Sequence, residues 1–365
     1  MNQPKRLILI LGDQLDKQNT ALKDYDSQRD EVIMIESVPE AQVVWSHKAK
    51  IALFLAAMRH FAQELKAEGY TVHYIQDSSL SIVDALKDTL EQKNISHLVC
   101  IEPGEWRLKL AIEKLAQDAN LHLDMREDDH FYCSHREFRE WAANKKELRL
   151  EFFYRLMRKT HDILLDKDGN PEGGQWNFDQ DNRKPYPKSG PGIIETPILF
   201  EPDAITRDVI AFVKKQYPKH PGSLDHFRWP VTREQALEAL QYFVDYRLRN
   251  FGIYQDAMWT DTPYGWHSIL SSSLNLKLLN PREVIAAVVD AWKKYSLDLS
   301  TVEGFIRQIL GWREFVRGMY YLDMPKMAAD NYYDHQRSLP SWYWTGKTNM
   351  RCMQDAIGQT LNYGY

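Results

Sequence analysis

The sequence predicts an α/β N-terminal domain built on a parallel five-stranded sheet, followed by an all-helical domain. Three observations lead to this prediction. Short, continuously apolar runs alternate with helical patterns up to about residue 130, prolines and glycines concentrate between residues 166 and 205, and helical patterns prevail from residue 206 onward. Continuous apolar runs indicate strands that are buried on both faces, which is typical of parallel sheets covered by helices.

The apolar runs that we interpret as strands cover residues 7–11, 32–35, 71–75, 97–101 and 121–125. A long helical pattern from about 46 to 68 stops at Gly69, and two more, near 79–93 and 105–118, separate the later strands. The predicted sheet is Rossmann-like, but the sequence contains neither G-x-G-x-x-G nor G-x-x-x-x-G-K-[ST]. A dinucleotide or triphosphate site in this domain is therefore disfavoured.

Polar residues follow three of the predicted strands, at the sheet edge where parallel sheets bind ligands. These residues are Gly12, Asp13, Gln14, Glu36, Glu102, Gly104 and Glu105. Acidic and amide side chains suit an uncharged heterocycle better than a phosphate. Turns and helix caps are the alternative explanation for any single one of them.

The composition is that of an ordinary soluble globular protein. The chain has 365 residues, of which 44% are hydrophobic and 27% charged, and a net charge of −5. A nucleic-acid partner would therefore need a local basic patch. No apolar run reaches about 18 residues, which argues against a membrane span, and the apolar start lacks a secretory cleavage site. Three widely spaced cysteines, Cys100, Cys133 and Cys352, indicate a reducing, cytoplasmic compartment.

The remainder of the chain divides into a connector, 131–205, and a helical part, 206–365. A helical stretch near 128–165 precedes the proline-rich segment, whose core at 175–184 is too aromatic for a mere spacer. Helical patterns follow at 206–216, 232–248, 281–295, 301–320 and from 350 onward.

The helix near 303–317 carries the most informative pattern. Ser300 and Glu303 predict a capping box at its start. Helical spacing predicts one apolar face made of Phe305, Ile309, Trp312, Val316 and Met319. Trp312 and Arg313 together offer a flat apolar surface and a fork of donors to a large planar cofactor. A core helix whose arginines reach outward to solvent is the alternative.

A serine cluster precedes this helix. Ser268, Ser271, Ser272 and Ser273 stand at a predicted helix start, where free amides and hydroxyls suit a diphosphate. Tyr254, upstream, is a further candidate phosphate donor. An ordinary N-cap with solubilising serines is the alternative.

The whole chain from Lys5 onward resembles the photolyase/cryptochrome family, and more narrowly its bacterial iron–sulfur branch, the prokaryotic (6-4) photolyases. Six motifs occur in the order of that branch: ILGDQL at 10–15, EPGEWR at 102–107, EFFYRLMR at 151–158, WNFDQDNRKP at 176–185, YQDAM at 254–258 and EGFIRQILGWREFVRG at 303–318. The resemblance implies a light-driven DNA repair flavoprotein in which excited reduced FAD gives an electron to a flipped pyrimidine lesion. A non-repairing antenna-binding or cryptochrome-like photoreceptor remnant is the alternative.

The resemblance also implies roles for particular residues. The FAD diphosphate would be held by Tyr254, Ser268, Leu270 and Ser271. Phe305, Gln308 and Arg313 would line the FAD pocket, and Trp312 would border the lesion. The antenna, 6,7-dimethyl-8-ribityllumazine, would lie near the strand-end residues Gly12, Asp13, Gln14, Glu36, Glu102, Gly104 and Glu105. Trp344 would relay electrons, and Cys352 would be the first of four ligands of a [4Fe-4S] cluster.

UV-damaged DNA is the implied partner of a monomeric protein. Five cations are candidate phosphate contacts, with a solvated face as the alternative: Arg149, Arg155, Arg158, Arg183 and Lys184.

The chain departs from the family pattern in two places. Lys277 replaces a residue that is usually small, and we expect its side chain to point outward. The chain ends at Tyr365, before the lesion-site histidines and the other three cluster cysteines of the family, which predicts an incomplete FAD-binding domain in which the cluster cannot form. We therefore expect an exposed apolar patch around residues 300–365, with Leu361 and Tyr363 lacking packing partners.

Overall fold

The computed structural model describes residues 5–365. The first four residues, which begin the segment that we do not interpret as a secretory signal, lie outside this range. Five strands form one sheet in the order β3-β2-β1-β4-β5, and all neighbouring strands are parallel. Their bounds are β1 Arg6–Leu9, β2 Asp30–Ser37, β3 Val72–Ser78, β4 His97–Ile101 and β5 His122–Arg126. The predicted Rossmann-like α/β architecture is confirmed.

Helices cover both faces of the sheet and continue into the connector. Their bounds are α1 Glu40–Val43, α2 Lys48–Ala67, α3 Ile82–Lys93, α4 Trp106–Asp118, α5 His135–Ala142 and α6 Leu150–Thr160. Alternate residues of β1 enter different cores: Ile8 packs in the cluster that contains α2, and Leu7 packs in the cluster that contains α3 and α4. This alternation explains why the strand sequences are continuously apolar.

The C-terminal part is helical, as predicted. Its helices are α7 Ala204–Gln216, α8 Arg233–Tyr242, α9 Leu248–Tyr254, α10 Ser271–Leu276, α11 Pro281–Tyr295, α12 Leu299–Ile306, α13 Glu314–Asp323, α14 Trp342–Thr345 and α15 Arg351–Tyr363. A π-helical turn at Phe243–Arg247 joins α8 to α9, and another at Arg307–Arg313 joins α12 to α13. Such π-turns frequently occur at functional sites.

The capping box predicted at Ser300 and Glu303 is wrong. Helix α12 begins at Leu299, so that Ser300 lies inside its first turn, and no side chain caps the helix. Glu303 is fully buried, and its carboxylate accepts a hydrogen bond from the Phe178 amide at 3.0 Å. The acid therefore ties the connector to α12.

The sheet and the helical part share one apolar core. The cluster that contains Ile8 and the buried residues of α2 extends without a break to Phe305 and Leu310. The Leu15 amide, just after β1, donates a hydrogen bond to the Leu276 carbonyl at the end of α10, at 3.0 Å. Within residues 5–365, no helix combines the length and the apolar character that crossing a membrane requires.

Candidate functional site

A cavity of about 770 Å³ opens between the connector, α9, α10, α12 and the second π-turn; we call it the helical-domain cavity. Six residues that the sequence analysis assigned to flavin and lesion line it: Ser268, Ser271, Phe305, Gln308, Trp312 and Arg313. Its volume lies within the range of about 300–1,000 Å³ that is typical of cofactor sites.

One wall of this cavity is aromatic. The Phe305 ring is buried and packs against Phe243 and Phe251, with centroids 4.9 and 5.3 Å away. Trp312 is 46% exposed, so that a large apolar surface stays accessible in the cavity wall. The Gln308 amide donates to the Gly304 carbonyl one turn earlier, at 3.2 Å, which holds the side chain against the helix.

Two lining residues that the sequence analysis missed, His267 and Tyr365, form a hydrogen-bonded pair. The Nε2 of His267 donates to the Gln255 carbonyl at 2.8 Å. Its Nδ1 therefore accepts from the Tyr365 hydroxyl, at 2.6 Å. Neither residue stands in a pattern that periodicity could detect, because the pair is 98 positions apart in the chain.

Two further missed lining residues, Asp179 and Arg307, form an ion pair. Arg307 binds the carboxylate of Asp179, which also binds Arg183, and all three residues line the helical-domain cavity. Behind them, burial raises the pKa of Glu303, although the Phe178 amide and Arg307 oppose this shift. The connector thus contributes charged groups directly to the cavity.

Arg313 is held mainly by the segment that follows β5. Its guanidinium lies 3.9 Å from the centroid of the Phe131 ring and donates to the His130 carbonyl at 2.9 Å. The Nε of Arg313 is buried without an acceptor among the described residues, so a bound ligand could satisfy it. Burial lowers the pKa of this guanidinium, and Glu314 opposes the shift.

Two further residues assigned to FAD lie outside the lining. The Tyr254 ring stacks on Tyr186 with centroids 4.8 Å apart, and Leu270 is buried at the start of α10. Their roles at the diphosphate stay predictions.

A second cavity, of about 580 Å³, lies at the carboxyl ends of the strands; we call it the strand-end cavity. Five residues of the antenna prediction line it: Gly12, Asp13, Glu36, Gly104 and Glu105. Glu36 is fixed by two hydrogen bonds from Arg59, at 2.7 and 2.9 Å. Arg107 pairs with both Glu40 and Glu105, which cancels its positive charge at the rim.

The other two antenna candidates, Gln14 and Glu102, make structural contacts next to this cavity. Gln14 is fully buried; its Oε1 accepts from the Leu11 amide at 3.2 Å, and its Nε2 donates to the Ile101 carbonyl at 3.3 Å. It therefore clamps the ends of neighbouring strands. Glu102 pairs with Lys109 and, at 2.7 Å, with His135. Neither lines the strand-end cavity, and direct contact of either with an antenna stays a prediction.

The expectation that Lys277 points outward is wrong. Its side chain is 4% exposed, and its Nζ lies 2.9 Å from the Asp128 carboxylate, which follows β5. The helical part therefore contributes a buried cation to its contact with the segment that follows β5.

The residues assigned to electron transfer and to the iron–sulfur cluster lie outside both cavities. Trp344 packs on Trp45, with ring centroids 5.1 Å apart, and lines neither cavity. Its role as an electron relay stays a prediction. Cys352 is exposed, whereas Cys100 and Cys133 are buried.

The residues described here do not fit a [4Fe-4S] cluster. Within 5–365, the group of side chains close enough to share a metal ion is Asp128, Asp129 and His130, which offers no thiolate. Asp128 and Asp129 already have cationic partners, Lys277 and Lys23.

Arg158 is not a surface phosphate contact, because its side chain is fully buried. It donates to the carbonyls of Ile163, Leu164 and Trp176 and so holds the middle of the connector. The other four candidates, Arg149, Arg155, Arg183 and Lys184, remain at least partly exposed.

Individual apolar side chains are exposed between Trp312 and Met350, and their union into one apolar patch stays a prediction. The expectation that Tyr363 lacks a packing partner is wrong, however, whereas the expectation for the Leu361 side chain stays a prediction. The Tyr363 ring lies 4.9 Å from His226, and the Leu361 carbonyl accepts from the Ser223 amide at 2.8 Å and from His47 Nε2 at 3.1 Å. The end of helix α15 therefore contacts Ser223, His226 and His47.

Known proteins resemble this chain over most of its length. A family model described as deoxyribodipyrimidine photo-lyase-related protein matches residues 8–229. A (6-4) photolyase of Agrobacterium fabrum is 42% identical over 365 residues, which cover 99% of this chain and 71% of that protein. An uncharacterized protein of Acanthamoeba polyphaga mimivirus is 37% identical over 113 residues, 31% of this chain and 86% of its own.

The fold is also that of a solved structure. The crystal structure of a bacterial class III photolyase from Agrobacterium tumefaciens matches all of this chain and 70% of its own, with a TM-score of 0.62 and 13% identity. At that identity the likeness concerns the fold. Together, the family model and the 42% identical relative show that the chain belongs to the deoxyribodipyrimidine photo-lyase-related protein family.

Proposed function

We propose that this protein is a light-driven DNA repair flavoprotein of the (6-4) photolyase type. The observation that carries the proposal is the helical-domain cavity, which is lined by six of the residues assigned to flavin and lesion, from two separate segments of the chain. The 42% identical relative, a (6-4) photolyase, supports the same reaction class.

The residues of the helical-domain cavity fit FAD. Ser268 and Ser271 offer hydroxyls at one side, Phe305 offers a flat apolar surface, and the buried Nε of Arg313 has no acceptor among the described residues and can donate to the cofactor. When bound and reduced, FAD supplies the photoexcited electron for the lesion. The protein's contribution is to orient the flavin, to exclude water with its aromatic wall, and to place the damaged base beside it.

We propose that damaged DNA approaches the exposed face of Trp312. A flipped pyrimidine needs an apolar surface on which to stack, and Trp312 provides one in the cavity wall. Arg183, on the connector, is 63% exposed in its side chain and lines the same cavity. Its guanidinium is suited to a phosphate next to the flipped base.

We propose that the strand-end cavity binds 6,7-dimethyl-8-ribityllumazine. Four carboxylates line this cavity: Asp13, Glu36, Glu40 and Glu105. Carboxylates accept hydrogen bonds from ribityl hydroxyls, whereas a phosphorylated chromophore would meet like charge. The acidic lining therefore favours the unphosphorylated antenna.

The remaining assignments are proposals of the same standing. We propose that the protein is a cytoplasmic monomer with an antenna domain at 1–130, a connector at 131–205 and a FAD-binding part at 206–365. Trp344 is proposed as an electron relay. Cys352 is proposed as a cluster ligand only in company with cysteines that the described residues do not provide.

The test is repair by the purified chain. The protein is reconstituted with FAD, photoreduced, and illuminated with oligonucleotides that carry either a (6-4) photoproduct or a cyclobutane dimer. We expect light-dependent loss of the (6-4) photoproduct alone. The matched control is the same mixture in the dark. Binding of lumazine without any light-dependent repair would instead support the non-repairing photoreceptor.

A further inference from the structure

Arg247, the last residue of the π-turn at Phe243–Arg247, is a buried cation without a carboxylate partner. It is 1% exposed, and no Asp or Glu carboxylate of residues 5–365 lies within 4 Å of its guanidinium. Each arginine that lines the helical-domain cavity does have such a partner: Arg183, Arg307 and Arg313. Because an ion taken out of water without a counter-charge is costly, packing alone does not account for a guanidinium at this position.

The charge of Arg247 persists in spite of its burial. Burial lowers the pKa of the guanidinium to about 10, and the neighbouring Tyr242 and Tyr365 oppose this shift. The pKa stays well above neutral, so the side chain is a cation at physiological pH. Glu195, the carboxylate that acts on it from a distance, already accepts a hydrogen bond from the Tyr242 hydroxyl. Among the described residues, no side chain therefore neutralises this charge at close range.

Backbone carbonyls of the turn before the serine cluster hold Arg247. Its Nη2 donates to Gly265 and His267, at 2.7 and 3.0 Å, and its Nε donates to His267 at 3.3 Å. Its Nη1 is buried and has no acceptor among the described residues. The Trp266 ring, 5.8 Å from the guanidinium, carries a second buried N–H group without an acceptor, at its Nε1. An anionic oxygen would satisfy an unpartnered N–H group and the unpaired charge together.

The void that Arg247 lines adjoins the helical-domain cavity. It measures about 20 Å³, and Ser268 and Ile269 line both spaces. This volume holds about one water-sized group. The Ser268 Oγ accepts from the Leu270 amide at 3.4 Å, so its proton stays free for a ligand. A phosphate at Ser268 can therefore place one oxygen in the void beside the guanidinium.

The other charges of the helical-domain cavity do not exclude a phosphate. Two carboxylates line the cavity: Asp179 and Asp256. Asp179 is neutralised by its ion pairs with Arg183 and Arg307. Asp256 is exposed, so water and salt screen its repulsion. The attraction of a buried, unpaired cation is screened much less and outweighs that repulsion.

We propose that Arg247 is a specificity-determining residue of the helical-domain cavity. Together with Ser268 it binds a phosphate oxygen of the ligand, and it thereby favours a flavin with a phosphate group over a flavin without one. This inference deepens the proposed flavin function and rests on it. It supplies the serine cluster, whose hydroxyls are neutral, with the positive charge that a diphosphate requires.

The test is a fluorescence titration of the full chain with FAD and, separately, with riboflavin, which has the same ring system but no phosphate. Arg247→Gln removes the charge and keeps an amide that can donate to the Gly265 or His267 carbonyl. We expect the dissociation constant of FAD to rise about thirtyfold, through the loss of a charged hydrogen bond, and that of riboflavin to change less than about threefold. An equal rise for both flavins would mean that Arg247 only holds the turn, and would overturn the proposal.

The matched control is Arg249→Gln, two residues later in α9. Arg249 is exposed and donates to the Tyr295 carbonyl at 3.2 Å, so the same substitution again removes a charge and a hydrogen bond to a carbonyl. Both flavins should bind this variant as they bind wild type. Arg247→Lys restores a cation without the planar fork and should bring the FAD dissociation constant to within about fivefold of wild type. A lysine variant that binds FAD no better than Arg247→Gln would contradict the role of the charge.

Thermal unfolding of the flavin-free chain in sodium pyrophosphate distinguishes this inference from the flavin proposal. If wild type binds neither flavin, the proposed function fails. The anion site still predicts that pyrophosphate, compared with sodium chloride of equal ionic strength, raises the melting temperature of wild type and of Arg249→Gln but not that of Arg247→Gln. An equal response of all three proteins, or no response, would mean that a water molecule occupies the void, and the inference would fail. The same measurement decides where riboflavin binds too weakly to titrate.

Discussion

Replacing Gly252 by alanine should loosen the aromatic wall of the helical-domain cavity. Gly252 lies in α9 where that helix touches α12, and a Cβ there would lie 2.3 Å from the Thr301 Oγ1 and 2.4 Å from its Cα. Because the Thr301 Cα is a backbone atom, a rotamer change of Thr301 cannot relieve the clash. Ordinary carbon contacts need roughly 3.5 Å, so the two helices must separate by about 1 Å.

This separation acts on both stability and binding. Overpacking of this kind costs about 1–3 kcal/mol of unfolding free energy. Phe251 precedes the substituted residue, and Phe305 lies one turn after Thr301; their rings are 5.3 Å apart and both line the cavity. A displacement of about 1 Å in such a wall should weaken FAD binding roughly tenfold to hundredfold.

Flavin fluorescence titration and denaturant unfolding measure the two effects. Gly358→Ala is the matched control: it is also a helical glycine, in α15, and its Cβ would meet no atom within 4 Å. This control should bind FAD normally and gain about 0.5–1 kcal/mol of stability. Wild-type FAD affinity together with unchanged stability in Gly252→Ala would refute the close-approach argument.

Three further predictions concern other residues of the fold. Arg158→Met should lower the free energy of unfolding by at least about 3 kcal/mol, because the carbonyls that Arg158 binds would lose their hydrogen-bond donor. The DNA affinity of the folded fraction, measured by fluorescence anisotropy, should stay unchanged. Trp312→Ala should weaken lesion binding about tenfold through lost stacking and leave FAD content intact by absorbance; a loss of FAD instead would place Trp312 in the flavin site proper. Burial lowers the pKa of His130, but Asp129 and Asp16, the latter 2.9 Å away, outweigh it and raise that pKa. The charged imidazole therefore stabilises the fold fully below its unfolded pKa, and this stability is lost as pH rises through the folded value, so His130→Gln should flatten the pH dependence of the melting temperature on the neutral side.

The strand-end cavity shows which features the parallel-sheet rule for ligand sites can predict from a sequence and which it cannot. Parallel strands bring their carboxyl ends to one edge, so Asp13, Glu36 and Glu105 could be assigned to one cavity from the sequence. The rule places segments and does not orient single side chains. Gln14 is next to Asp13 in the chain but turns inward to satisfy strand-end backbone groups. Which of two adjacent polar residues faces the ligand depends on unpaired backbone groups elsewhere, which no local pattern reveals.

Lys277 marks a second limit of sequence reasoning. A charged residue at the end of a short helix is usually solvated, and local pattern supports that expectation. What draws this lysine inward is a carboxylate 149 positions earlier, at Asp128, which periodicity cannot pair with it. Long-range charge pairing is decided by the docking of the sheet on the helices, a property of the folded chain as a whole.

The sequence of the helix that begins at Leu299 allowed two interpretations, a core helix and a wall of a cofactor site. The predicted apolar face splits in two, since Phe305 and Ile309 are buried whereas Trp312 and Val316 are 46% and 58% exposed.

The split falls inside the π-turn, which contains both Ile309 and Trp312, and past the turn the buried positions are Glu314 and Gly318. Gly318 allows the Phe138 ring to approach within 2.1 Å of where a Cβ would lie, and Glu314 accepts from the buried Cys133 amide at 3.1 Å. A glycine and a carboxylate that accepts from a backbone amide therefore take the core positions, because a π-turn changes the direction in which later side chains point. Trp312 lies within this turn and outside the core, and an exposed tryptophan in the wall of a large cavity is better explained by a ligand than by packing.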